Sequence, residues 1–160
     1  MYLFLMYFMQ KQDFYQSLTL QAQGLIQGET NLIANMANLS ALLWMSLEDI
    51  NWAGFYVMDS PDELVLGPFQ GKPACIRIPV GKGVCGAAVA TRKTQLVYDV
   101  HEFEGHIACD AASNSEIVIP LYKSGEIIAV LDIDSPSVGR FDEQDQFGLE
   151  LFVKALEATL

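Results

Sequence analysis

The chain has 160 residues, of which 51% are hydrophobic and 18% charged, and its formal net charge is −11. This length suits one domain with its own core, and the composition is typical of a globular protein rather than a disordered one. The negative charge argues against nucleic acid or an anionic membrane as a partner, because few cations are available to displace counterions from phosphates. A cationic or zwitterionic small ligand is compatible with it.

The first residues differ from the rest of the chain. Residues 1–9 are almost entirely apolar, but a membrane span needs about 20 such residues. A secretory signal needs a basic start and a small-residue cleavage site, and this segment has neither. We therefore divide the chain into an apolar leader of unknown role at residues 1–12 and a single domain at residues 13–160. The preferred interpretation of the leader is a packed or self-associating terminal segment, and a start misassigned upstream of Met9 is the second interpretation.

Three cysteines, Cys75, Cys85 and Cys109, are the candidate reactive groups. An odd number of cysteines without an export signal predicts free thiols in the reducing cytoplasm. The separations of 10 and 24 residues do not match zinc ligands, which come in pairs two to four residues apart. The sequence therefore predicts no metal site.

The first third of the chain has the pattern of helices. Apolar residues recur at three- and four-residue steps over residues 13–47. Gly28, followed by Thr30 and Asn31, predicts a break and a polar cap for a second helix.

The remainder alternates β-prone segments with two further helices. We predict strands at residues 51–58, 63–66, 75–80, 95–100, 117–122 and 127–133. A short helix is predicted at 87–92, a long polar loop at 101–115 and a C-terminal helix at 142–160, with Phe147, Leu151, Leu156 and Leu160 on or near its buried face. The pattern indicates an α+β fold: an antiparallel sheet with helices packed against it.

The surroundings of each thiol bear on its reactivity, because the thiolate is the reactive form. Cys109 lies in the long polar loop near His106, among small residues that leave its sulfur accessible, and loops of this length are usually functional. Cys85 follows two glycines at a predicted helix start, where the amide dipoles favour an anion. Cys75 stands at a loop–strand junction where it could move. The alternative is that all three are small buried hydrophobes.

Two carboxylates end the last predicted strand. Asp132 and Asp134 share one face of that strand, about 7 Å apart, and they repel each other unless a proton or a cation intervenes. The alternative is that the strand ends there and both groups are solvated.

The face on which Glu116 lies depends on the hairpin before Asp132. A three-residue loop, Lys123-Ser124-Gly125, would place Glu116 directly opposite Asp132 and form one acidic pocket beside the Cys109 loop. A two-residue Ser124-Gly125 turn would pair Glu116 with Ile133 and send it to the other face. We prefer the three-residue loop.

Several motifs, in order, closely resemble one enzyme family. They are NWAGFY at residues 51–56, LGPFQG at 66–71, PVGKGVCG at 79–86, GHIACDAAS at 105–113, SEIV at 115–118 and LDIDS at 131–135. Together they resemble the free methionine-(R)-sulfoxide reductases, enzymes built on a GAF domain, over roughly residues 13–160. The apolar leader does not resemble that family.

The resemblance implies a GAF-like fold, a six-stranded antiparallel sheet with helices on it, often as a homodimer. It implies Cys109 as the catalytic cysteine, Cys75 as its main resolving partner and Cys85 as an auxiliary one. It also implies a set of substrate-binding residues: the pocket aromatics Trp52 and Tyr56, the carboxylates Glu116, Asp132 and Asp134, and additionally Asp99.

The implied reaction is reduction of free methionine sulfoxide without a cofactor. Cys109 would become a sulfenic acid, Cys75 would condense with it to a disulfide, and thioredoxin would reopen that disulfide. A crowded carboxylate would supply the proton. The rival interpretations are a GAF small-ligand sensor and a thiol redox sensor without turnover, because a fold alone does not define a function.

Overall fold

The computed structural model describes residues 2–105, 107 and 111–160, with side chains from residue 10 onward. Over these residues two helices are followed by three strands, a third helix, three more strands and a fourth helix. The helices are α1 (Tyr2–Ile26), α2 (Leu32–Ser46), α3 (Gly83–Thr91) and α4 (Glu143–Glu157), with a short 3₁₀ helix at Val100–Glu102. The strands are β1 (Trp52–Ser60), β2 (Glu63–Gly71), β3 (Arg77–Pro79), β4 (Gln95–Val97), β5 (Ser115–Lys123) and β6 (Glu126–Ser135).

The break between the first two helices lies where the sequence predicts it. Gly28 has a φ of 76°, a conformation that favours glycine. Asn31 then caps α2, since its side chain accepts a hydrogen bond of 3.0 Å from the Ala34 N–H. The backbone of α1 is helical from Tyr2.

The six strands form a single antiparallel sheet in the order β3-β2-β1-β6-β5-β4. This confirms the predicted α+β fold. The two chemically informative strands, β1 and β6, are neighbours at the centre of the sheet, with Trp52 paired to Asp134 and Gly54 to Asp132.

Side-chain alternation gives the sheet two different faces. On one face, odd-numbered apolar residues such as Phe55, Ile119 and Leu131 pack with α1, α2 and α4 into the larger core. On the other face, even-numbered residues such as Tyr56, Val118 and Val130 pack with α3 into a smaller cluster. The side chains predicted to bind substrate from β1, β5 and β6 all belong to this second face.

The β5–β6 hairpin differs from our expectation. Its turn has two residues, Ser124 and Gly125, both with positive φ, so the predicted three-residue loop is wrong. The pairing then shifts between Leu121 and Tyr122, because Ile128 has no partner on β5. This β-bulge adds one residue to β6 and restores the alternation. Glu116 consequently pairs with Asp134 rather than Asp132, yet it lies on the same face as both aspartates.

The buried face of α4 also differs. Leu149, Phe152 and Leu156 are buried, whereas Phe147 and Leu151 are 56% and 46% exposed. The predicted burial of these two residues is therefore wrong. They lie beside the buried stripe of α4 and line a groove between α1 and α4.

The packing of α1 against α4 is close and partly ionic. Tyr15 crosses α4 at Gly148, where an added Cβ would lie 2.2 Å from the Tyr15 ring. The Tyr15 hydroxyl and the Lys11 ammonium both donate to the buried Asp145 carboxylate at 2.6 Å. Among the helices of the described region, none is long and apolar enough to cross a membrane.

Candidate active site

A pocket opens on the α3 face of the sheet. Its walls come from β1, β3, β5 and β6, from the start of α3 and from the segments before β3 and β5. The lining residues are Trp52, Tyr56, Pro73, Ala74, Ile78, Gly83, Val84, Cys85, Ile107, Ser113, Glu116, Asp132 and Asp134. Five of the six residues predicted to bind substrate therefore lie around one cavity.

Aromatic rings form one wall of this pocket. The Trp52 ring stacks on Tyr56 with centroids 5.7 Å apart, and on Phe69 of β2 with centroids 5.1 Å apart. Phe69 can approach because its pairing partner is Gly54, where a Cβ would lie only 2.3 Å from the Phe69 Cβ. The glycine in the NWAGFY motif thus allows this three-ring stack.

The carboxyl groups of β5 and β6 form a polar wall beside the aromatic one, since Trp52 of β1 pairs with Asp134 of β6. One ligand atom each from Cys85, Glu116 and Asp132 lies within 4.8 Å of the other two, and all three residues are buried. The Asp132 Oδ1 atom is buried without a hydrogen-bond partner among the described residues. Such an atom is costly unless a ligand or water satisfies it, so it marks a position for a donor.

Burial decides the protonation of this wall. Burial, followed by the charge of Asp134, raises the pKa of Glu116 well above its usual range. Burial and the charge of Glu116 likewise raise the pKa of Asp132, and a hydrogen bond with the Cys85 thiol offsets part of that rise. Two adjoining carboxyl groups in a desolvated site therefore retain a proton where free carboxyl groups would have lost theirs.

Cys85 lies in the first turn of α3, but it does not have the anion-favouring setting that the sequence indicates. Burial raises the pKa of its thiol well above the usual range, and the charges of Asp132 and Glu116 raise it further. Desolvation and two nearby acids outweigh the helix dipole, which contributes only about 0.3–1 kcal/mol at an exposed site.

The other predicted residues lie at different distances from this pocket. Cys75 is half-buried beside the pocket cluster and is disulfide-bonded, while Cys85 is free. Cys109 lies outside the described residues. Asp99 does not line the pocket; its side chain accepts a 2.9 Å hydrogen bond from the His101 N–H and caps the 3₁₀ helix.

Some residues that line the pocket or support its aromatic wall were not singled out from the sequence. Phe69 belongs to the LGPFQG motif, but only the β1–β2 pairing shows that it stacks on Trp52. Ser113 follows the cysteine loop and accepts a 3.1 Å hydrogen bond from the Asn51 amide. Ile78 and Val84 are ordinary apolar residues in sequence, and they become pocket residues because β3 and α3 close over this face.

The acidic wall is the part of the described structure that could hold a cation. The Cys85, Glu116 and Asp132 atoms are close enough for a divalent metal by distance, although they come from three different elements and so give no spacing signal in sequence. That this site works without a metal stays a prediction. The same wall suits the ammonium group of an amino acid.

The sheet order, the helices on one face and the pocket beneath α3 on the other define the class of this protein: a GAF domain. In agreement, the sequence model of the family described as "GAF domain" matches residues 39–160.

Comparison with individual proteins narrows the class. The chain is 58% identical to the free methionine-R-sulfoxide reductase of Escherichia coli, over 95% of this chain and 92% of that protein. It also resembles the fRMsr of Staphylococcus aureus in complex with its substrate, with a TM-score of 0.87 and 55% identity over 91% of this chain and 95% of that one. The corresponding enzyme of Neisseria meningitidis, also with its substrate, has a TM-score of 0.87 at 45% identity, covering 91% and 87% of the two chains. The chain belongs to the GAF-domain family of free methionine-R-sulfoxide reductases.

Proposed function

We propose that this protein reduces free L-methionine-(R)-sulfoxide to L-methionine, with Cys109 as the nucleophile. The observation that carries the proposal is the pocket in which an aromatic stack lies beside a buried, proton-retaining carboxyl pair. The family membership supports it, because the substrate complexes of two relatives share this fold at a TM-score of 0.87.

Each end of the substrate matches one wall. The S-methyl group is apolar and fits against Trp52 and Tyr56, which are both buried. The α-ammonium group is a cation with three donors, and the unpartnered Asp132 Oδ1 atom is an acceptor in an acidic setting. A peptide-bound methionine has no α-ammonium group, so this pocket selects the free amino acid.

The carboxyl pair also supplies the proton that the chemistry needs. The Cys109 thiolate attacks the sulfoxide sulfur, and protonation of the sulfoxide oxygen makes that step favourable. The oxygen passes to the Cys109 sulfur, which becomes a sulfenic acid, and methionine is released. Glu116 and Asp132, whose pKa values burial raises, act as the proton source near neutral pH, with Asp134 keeping the charge around them negative.

The second half of the cycle regenerates the thiol. The Cys75 thiol condenses with the Cys109 sulfenic acid, a disulfide forms and water leaves. The disulfide-bonded state of Cys75 supports this role. The dithiol of thioredoxin then reduces the disulfide and is itself oxidised, which suits a reducing compartment such as the cytoplasm.

We assign Cys85 an auxiliary role at the acidic wall, where its thiol is hydrogen-bonded to Asp132. It is not the first resolving group in this proposal. Asp99 has a positioning role in this proposal, through its cap on the helix that precedes the Cys109 loop.

We further propose that two copies associate through the groove between α1 and α4. The exposed Phe147, Leu151 and Leu20 side chains line it. Thr19 Oγ1 and Gln144 Oε1, also in its lining, are buried without partners among the described residues. Both features favour a partner surface.

The test of the activity is methionine release from the separate epimers of free methionine sulfoxide with a thioredoxin system. We expect turnover of the R epimer only, no reaction with a peptide-bound sulfoxide, and the background rate for Cys109→Ser. Cys75→Ser should release about one equivalent of methionine and then stop, because the Cys109 sulfenic acid has lost its main resolving thiol. Full activity of Cys109→Ser would exclude the nucleophile, and binding without turnover would favour the sensor.

A further inference from the structure

The segment that contains Cys75 is attached to the aromatic wall of the pocket. Residues 72–76 join β2 to β3, and three of their carbonyl groups accept hydrogen bonds from the sheet. The Trp52 indole N–H donates to Lys72 O at 3.2 Å, the Tyr56 hydroxyl donates to Cys75 O at 2.9 Å, and the Leu66 N–H donates to Ile76 O at 2.8 Å. Two of the three donors are therefore the pocket aromatics.

The Tyr56 side chain is a rigid point of attachment. It is 2% exposed, it stacks on Trp52, and its backbone pairs with both neighbouring strands, at Leu66 and at Val130. Burial, followed by the charge of Asp132, raises the pKa of its hydroxyl, so the group stays protonated and remains a donor. The Cys75 residue is only half-buried, and Ile76 beside it is 68% exposed.

We propose that the Tyr56 hydroxyl is a positioning group for Cys75, in addition to its ring forming the pocket wall. Its hydrogen bond to the Cys75 carbonyl holds residues 72–76 in the position in which the Cys75 sulfur forms its disulfide bond. One residue thus connects the substrate wall to the thiol that closes the cycle. The inference rests on the proposed role of Cys75 as the resolving thiol.

The consequence is a change in the stability of the disulfide relative to the dithiol. A thiol held near its partner forms the disulfide more readily, because less conformational freedom is lost on closure. Loss of one such hydrogen bond should lower the equilibrium constant for disulfide formation by about 2- to 10-fold. The indole N–H of Trp52 acts in the same direction on the same segment.

The test is the redox equilibrium of Tyr56→Phe, which keeps the ring and removes the hydroxyl. The protein is equilibrated with mixtures of reduced and oxidised dithiothreitol, so that the protein disulfide gains two electrons and two protons as dithiothreitol closes to its cyclic disulfide. After acid quenching and denaturing alkylation, mass spectrometry separates a chain with three alkylated cysteines from one with only Cys85 alkylated. We expect the equilibrium for Tyr56→Phe to shift toward the dithiol.

Tyr122→Phe is the matched control. The Tyr122 hydroxyl also donates to a backbone carbonyl at 2.9 Å, but that carbonyl belongs to Arg92. It therefore lies outside the segment of residues 72–76. An unchanged equilibrium in Tyr56→Phe, or the same shift in both variants, would overturn the inference. Should Tyr56→Phe fold poorly, Trp52→Phe, which removes the bond to Lys72, should show the same shift.

The measurement is independent of methionine sulfoxide. A shifted equilibrium in a protein that fails to reduce the sulfoxide would leave the positioning role standing and remove the proposed function. If the enzyme reduces the sulfoxide but the equilibrium of Tyr56→Phe is unshifted, the proposed function stands and the positioning role is refuted.

Discussion

Glu116 and Asp132 are each 6% exposed, and their carboxyl groups lie close together on the pocket face of the sheet. Their raised pKa values have opposite effects on function and on stability. A retained proton is useful for sulfoxide reduction. The unfolded chain, however, loses that proton at an ordinary carboxyl pKa of about 4, so the folded state is at a growing disadvantage as the pH rises.

This conflict gives a prediction for Glu116→Gln. The folded state binds more protons than the unfolded state between about pH 4 and the raised pKa, so the stability of the parent falls with pH through that window. Glutamine does not titrate. The free energy of unfolding of the variant, relative to the parent, should therefore increase with pH by up to roughly 1.4 kcal/mol per pH unit.

The measurement is urea denaturation at several pH values. Glu126→Gln is the control, because that side chain is 83% exposed and should give a curve parallel to the parent. If the Glu116→Gln curve is also parallel to the parent, the raised pKa of Glu116 is refuted.

At the scale of secondary-structure elements, two local features position the site. The bulge at Ile128 returns β6 to a register in which Glu116, Asp132 and Asp134 share a face. The close approach of β1 to β2 at Gly54 brings Phe69 onto Trp52. Each depends on a single residue, Ile128 in β6 and Gly54 in β1.

Gly54→Ala tests the second feature. Its Cβ would lie 2.3 Å from the Phe69 Cβ and 2.8 Å from the Pro68 carbonyl oxygen, so the backbone of β2 must move. We expect a loss of roughly 1–3 kcal/mol in the free energy of unfolding and a higher KM, because the Trp52 ring loses its support.

Gly24→Ala is the matched control in urea denaturation. Gly24 lies inside α1, with nothing within 4 Å of an added Cβ, and the substitution should stabilise by about 0.5–1 kcal/mol. Equal stability changes in the two variants would contradict the close-approach argument.

At the scale of the whole molecule, the sheet separates the larger hydrophobic core from the pocket. The face under α1, α2 and α4 contains the larger core, and the face under α3 contains the pocket. The groove proposed for self-association lies on the outer side of α1 and α4, and so belongs to the half of the molecule away from the pocket.

Leu151→Glu should weaken this self-association by about tenfold or more, because it places a charge at the centre of an apolar contact. Leu25→Glu is the control: Leu25 is 50% exposed, against 46% for Leu151, and it does not line the groove. Sedimentation over a range of concentrations measures the dissociation constant. A monomeric parent, or an equal effect of both substitutions, would refute the interface.

Much of the fold could be predicted from local pattern. The helices of the first third, the β-prone segments and the α+β class follow from periodicities that each segment has on its own. Asp132 and Asp134, or Trp52 and Tyr56, share a face because strand side chains alternate every two residues, whatever the rest of the molecule does. The family resemblance added the order of the motifs and the pocket residues.

Only the tertiary structure decided which faces meet. The Ile128 bulge is not visible in a sequence of apolar residues, because it reflects how β6 pairs with β5. The position of Phe147 and Leu151 outside the core depends on how α1 lies on α4. The raised pKa of Cys85 needed the burial of α3 against two acids from other strands, since desolvation and charge depend on distances between elements that no single segment contains.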